Sequence, residues 1–184
     1  MRHAIIFLVV AGLAVGGVIA IKKAVVQPIT STATPSKTPA GTGSDERTAF
    51  DLEKTGRFNE AGKLWEALLN QTRNVMYAAF ALDAYYKGGA YHDAIRMNAV
   101  LIDQDPAELP AHLYNQGCLY ACAGDSDNAM AFLKAAVARG WRDPQRVEED
   151  LKHDLKNLVN DPRFQAWRAN LDKPKGDADR SKHA

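Results

Sequence analysis

Cys118 and Cys122 stand four residues apart in a stretch with helical spacing, so both thiols fall on one face of a single helix. Such a pair could hold a soft metal or, in an oxidising compartment, close on itself. A structural zinc ion wants four ligands, and with two cysteines in the chain no spacing marks the other two. Cysteine is also a small, readily buried side chain, and packing is the plainer role for both. Glu149 and His153 lie one turn apart with Asp150 and Asp154 beside them, which could suggest a metal or a general base. The run Glu148 to Asp154 (EEDLKHD) has the charge density of a solvated helix face. No nucleophile elbow, phosphate loop, zinc-protease helix or paired-carboxylate arrangement occurs. The sequence therefore predicts no catalytic residue, no metal and no cofactor. A small thiol- or metal-handling protein built on Cys118 and Cys122 stands as the rival reading.

The chain has 184 residues, 46% of them hydrophobic, with 23 basic and 22 acidic side chains. That length allows one sizeable core with additions, and near-neutrality gives a polyanion little to hold. Residues 45–171 carry 15 basic and 19 acidic groups, a net of −4, with no basic stripe, which excludes nucleic acid as a partner. After a short tail, Met1 to His3, residues 4–21 (AIIFLVVAGLAVGGVIAI) form an uncharged apolar run of 18. At about 1.5 Å per residue it is just long enough to span a bilayer as a helix. The competing reading is a signal peptide cut near Ala20, against which stand the length of the run and Lys22 with Lys23 just beyond it. Arg2 and His3 nearly balance those lysines, so the charge rule leaves orientation open, and export of the bulk to the extracytoplasmic side is favoured slightly. Gly12 and Gly16 make a small-xxx-small pair through which two anchors could dimerise.

Residues 22–44 read as a tether. Gln27 to Ser44 alone contains five Thr, three Ser, three Pro and two Gly, too polar and broken to pack. From Asp172 to the end, four basic and three acidic groups with few apolar side chains predict a disordered tail.

Between them, residues 45–140 show six amphipathic segments separated by glycine-containing joints, with no strand-like alternation. The joints recur as Gly56-Arg57-Phe58-Asn59-Glu60-Ala61, Gly89-Ala90-Tyr91-His92-Asp93-Ala94 and Gly124-Asp125-Ser126-Asp127-Asn128-Ala129, with glycines 33 and then 35 residues apart. Glycine can end one helix in the left-handed conformation, a polar residue can start the next, and the alanine lets the two approach. A fixed period of this size means stacked units, because one helix pair cannot bury its apolar face alone. Units of about 45–72, 75–106 and 110–140 follow.

The pattern resembles the tetratricopeptide repeat. Its matches are Leu52, Gly56, Ala61, Trp65 and Leu68 in the first unit, and Tyr85, Gly89, Ala94, Leu101 and Pro106 in the second. The third has Gly117, Tyr120, Gly124, Ala129, Leu133 and Ala136. Leu82 and Asn98 depart from it, and the first unit lacks a closing proline. After Gly140, Asp143-Pro144 and Asp161-Pro162 each offer an N-cap followed by proline at the first helical position. They predict helices from Pro144 to Leu158 and from Pro162 to Leu171, with Phe164, Trp167 and Leu171 as a stripe that covers the end of the stack. This ending looks like that of many bacterial tetratricopeptide proteins. The expected fold is an all-α superhelix of about three helix hairpins with C-terminal capping helices over 141–171.

The resemblance implies that the first helix of each pair lines a concave groove. Carried onto this chain, the groove positions are Glu46, Phe50, Glu53 and Lys54, then Met76, Ala79, Asp83, Tyr86 and Lys87, then Ala111, Tyr114, Cys118, Ala121 and Cys122. Phe50, Lys54, Met76, Asp83, Tyr86, Lys87, Tyr114 and Cys118 are the residues expected to meet a partner, an extended peptide or a helix from another protein. The lysine and asparagine clamp for a terminal carboxylate, which the family uses for chaperone tails, is missing. The expected function is a membrane-anchored, non-catalytic scaffold.

Overall fold

The structure is a computed structural model that describes residues 42–171, and among these every regular element is helical. The apolar run 4–21 with Gly12 and Gly16, the tether up to Gly41 and the tail from Asp172 lie outside the described residues. Among those described, no helix is long and apolar enough to cross a membrane. The helices are α1 (Thr42–Lys54), α2 (Phe58–Thr72), α3 (Met76–Lys87), α4 (Tyr91–Gln104), α5 (Leu109–Cys122), α6 (Ser126–Ala138), α7 (Pro144–Asp150) and α8 (Pro162–Ala169). They divide into two compact units, the first ending at Leu109 and the second beginning at Pro110.

The glycine joints are where the sequence placed them, and they share one geometry. Gly56, Gly89 and Gly124 have φ of 76°, 73° and 82°, values at which a Cβ would be strained. At each, the glycine N–H donates to the carbonyl three residues back and the following N–H to the carbonyl five back. The first bonds are Gly56 to Glu53, Gly89 to Tyr86 and Gly124 to Ala121; the second are Arg57 to Leu52, Ala90 to Tyr85 and Asp125 to Tyr120. These are Schellman closures that satisfy the last carbonyls of the first helix. The next helix opens with Ala61 donating to Arg57, Ala94 to Ala90 and Ala129 to Asp125, and all three alanines are fully buried. The polar start expected at each joint is a side-chain cap only in the third, where Asp125 accepts from the Asn128 N–H at 3.0 Å. Gly140 repeats the closure after α6.

In the first unit, α2 packs against both α1 and α3, and α3 against α4. Trp65 lies at its centre, fully buried, against the rings of Phe50, Tyr77 and Phe80. A polar tie holds three helices: Glu66 of α2 accepts from Tyr85 of α3 at 2.9 Å and from both guanidinium nitrogens of Arg96 of α4 at 2.8 and 3.2 Å. Chiefly through the Arg96 hydrogen bond, the Glu66 carboxyl is held below its usual range. A carboxyl depressed in the folded state contributes stability above its unfolded value, and that contribution is lost as pH falls through the lower, folded value. Glu66→Gln is therefore expected to be less stable at neutral pH and to lose less stability on acidification than the parent chain. Urea midpoints taken across the acid limb measure both.

In the second unit, α5 and α6 meet at Gly117, where a Cβ would stand 2.8 Å from Leu133 Cγ and 3.2 Å from the Ala129 carbonyl oxygen. Replacing a helical glycine by alanine normally gains about 0.5–1 kcal/mol. At Gly117 the sign is expected to reverse, to a loss of about 1–3 kcal/mol from overpacking. Gly43 in α1 has open space around its would-be Cβ, so Gly43→Ala is the control. The midpoint of denaturant unfolding separates the two.

The boundaries correct the sequence reading in three places, the smallest being the last helix, which ends at Ala169 rather than Leu171. Helix α1 takes in Thr42 to Ser44, the last residues assigned to the tether, with the Thr48 hydroxyl donating to the Ser44 carbonyl. The helix expected over Pro144 to Leu158 stops at Asp150 and continues as turns and a short 3₁₀ segment, Lys156–Leu158. The Leu155 N–H reaches back to the Asp150 carbonyl at 2.9 Å, closing the helix. Asp143 and Asp161 do cap their helices, accepting from Arg146 and Arg163 N–H groups at 2.9 and 2.8 Å. Phe164, Trp167 and Leu171 are buried as the stripe required.

Candidate functional site

The first helices of the two hairpins in unit 1, α1 and α3, share the aromatic cluster over Trp65. The Phe50 ring meets Trp65 edge-on with centroids 4.9 Å apart and stands 6.0 Å from Phe80, yet 44% of the residue is open to solvent. Met76, one turn before Phe80 on α3, is 55% exposed. Both are large apolar side chains open to solvent, one on each of the two helices.

A polar rim surrounds them. Glu46 accepts the Tyr77 hydroxyl, a bond that raises the tyrosine to about 12. Glu53 accepts from the Trp65 indole N–H at 2.7 Å. Lys54 pairs with Asp51 at 2.8 Å, and Asp83 with Lys87 one turn on. The exposed face of α1 forms a shallow depression lined by Gly43, Glu46, Arg47, Phe50, Asp51 and Lys54. Of the residues expected to meet a partner, Phe50, Lys54 and Met76 are exposed, Asp83 and Lys87 are half-buried and paired with each other, and Tyr86 is half-buried beside Tyr91, 6.2 Å between centroids. Phe80 was not among them. Its position four residues after Met76, on the same helix face, is the signal that could have added it.

The equivalent face in unit 2 is occupied by the chain itself. Tyr114 is 2% exposed, stacked on Trp141 at 3.8 Å, and donates its hydroxyl to Asp150 Oδ2 at 2.8 Å. Arg146 Nε donates to the same oxygen at 2.9 Å. Further along, Asn157 donates to the Ala121 carbonyl at 3.1 Å, and the Cys122 thiol to the Asp154 carbonyl at 3.7 Å. Tyr114 and Cys118, placed by sequence in an open groove, are therefore buried under α7 and the turn after it. The run EEDLKHD is not wholly solvated either: Glu149 and His153 are exposed, but Asp150 is buried and Asp154 half-buried.

Burial sets the titration of this group. It drives the Tyr114 hydroxyl and the Cys118 thiol upward, with the nearby carboxylates adding to the effect. Burial likewise raises Cys122, to about 12, and lifts Asp150 against the opposing pull of Arg146. A nucleophilic cysteine needs the reverse, a thiolate favoured by positive surroundings. No protein-family model matches the chain, and no curated protein matches it.

Proposed function

We propose that this chain is a non-catalytic protein-binding module of the tetratricopeptide-repeat kind, held at a membrane by its apolar amino-terminal segment with the helical part on the extracytoplasmic side. The partner, an extended peptide or a helix, docks on the α1 and α3 face of unit 1. The observation that carries this reading is the exposure of Phe50 and Met76 on the first helices of two like hairpins, rimmed by charged pairs. Apolar anchors within a polar rim are how most binding energy is concentrated in protein interfaces. The repeated Schellman joints at the 33- and 35-residue spacing support the family assignment. Burial of Tyr114 and Cys118 moves the expected contact residues toward Phe50, Met76 and Phe80.

The test is co-purification from detergent-solubilised native membranes with the intact chain as bait. A partner retained by the parent chain and by Lys134→Ser, an exposed position on α6, is expected to be lost with Phe50→Ser plus Met76→Ser. Retention by that double variant, folded by circular dichroism, removes this face from the reading.

A further inference from the structure

We propose that Cys118, Asp150 and Asp154 form a binding site for a single zinc-like divalent ion, which fastens α7 and the turn after it onto α5. The site lies wholly within unit 2 and is independent of the docking face in unit 1.

The donor atoms of these three side chains, one thiol sulfur and two carboxylate oxygens, all lie within 4.8 Å of one another. Cys118 is 6% and Asp150 7% exposed, so two of the three sit where an uncompensated charge is costly. The placement brings one face of α5 against α7 and the turn that follows it. Tyr114, Cys118 and Cys122 recur every fourth residue along α5, and Arg146, Asp150 and Asp154 recur every fourth residue through α7 and beyond it. The middle pair and Asp154 supply the three donors. Cys122, or water, is left for the fourth place of a tetrahedral ion.

The surroundings are built as an outer shell. Tyr114 and Arg146 both donate to Asp150 Oδ2, which fixes the carboxylate plane. Partners of this kind orient ligating carboxylates in known metal sites. Charge favours occupancy as well: a thiolate and two carboxylates total −3, Arg146 offsets one, and a divalent ion brings the group to neutrality. Sulfur with carboxylate oxygen favours a borderline ion over magnesium or calcium, which take oxygen ligands alone. Binding converts the Cys118 thiol to a metal thiolate, and the displaced proton leaves to solvent.

The experiment uses the full chain, purified in detergent with a non-chelating reductant and stripped of metal. Titration with Zn²⁺ against a chromophoric chelator is expected to show one ion per chain and release of protons. Co²⁺ is expected to give a thiolate-to-cobalt charge-transfer band in the near ultraviolet. Cys118→Ser should abolish that band, and Asp154→Asn, at a half-buried position outside any helix, should weaken Zn²⁺ by at least about 10-fold, the lower bound for disturbing such sites. Zn²⁺ should also raise the melting temperature of the parent chain and not that of Cys118→Ser. Absence of stoichiometric binding by the parent chain overturns the proposal. So does binding that neither substitution weakens, which would place the ion elsewhere, on the chain's histidines for example.

Discussion

Trp65→Ala is expected to cost about 3–5 kcal/mol, the range for removing a fully buried tryptophan from a packed core. The side chain is entirely shielded from solvent, stacks on Tyr77, touches Phe50 and Phe80, and ends in a hydrogen bond to Glu53. The substitution opens a cavity shared by α1, α2 and α3 and leaves the Glu53 carboxylate without its indole partner. Domains of this kind have only about 5–15 kcal/mol in total, so about a fifth or more of the stability of unit 1 is at stake. Far-ultraviolet circular dichroism of Trp65→Ala should thus show loss of helix at a lower denaturant concentration than in the parent chain. A circular dichroism midpoint that does not move would contradict the packing described for unit 1.

Trp167→Ala is expected to cost a similar amount, about 3–5 kcal/mol, and to release the last helix. Helix α8 has eight residues, far short of what holds a helix in water by itself, so it depends on tertiary packing. That packing is Trp167 against Phe164 at 5.5 Å and Trp141 at 6.4 Å, with the indole N–H bonded to the Leu133 carbonyl at 3.2 Å. Without the indole, α8 loses its bond to the Leu133 carbonyl and keeps the buried Phe164 and the exposed Arg163 pair with Asp127. Amide hydrogen exchange should show α8 unprotected in the variant and α1 to α4 unchanged. Full protection of α8 would mean that its anchor is some other contact.

The hairpins were legible because their joints obey a local rule. A glycine at positive φ is required by the turn itself and a small residue five places on by the close packing of the two helices, and both recur in sequence at Gly56, Gly89 and Gly124. The caps at Asp143 and Asp161 were legible for the same reason. What the sequence hid depends on distant neighbours. Asp150 sits in a run of charges that any periodicity argument assigns to water, and only the Tyr114 hydroxyl, 36 residues away, and Arg146 make its burial tolerable. Once Asp150 is turned inward, α7 and the following turn cover the face where Tyr114 and Cys118 were expected to be open. Phe80 does not fall on the carried-over positions, which follow a repeat pattern, whereas its half-buried place beside Phe50 depends on how α1 and α3 share Trp65.

The docking face of unit 1 is tested most directly by placing a photo-crosslinking amino acid at position 50 of the full chain and irradiating native membranes. A discrete heavier adduct from position 50, absent when the same residue stands at the exposed position 134 on α6, is the expected result. Adduct formation at 134 with none at 50 would contradict the account.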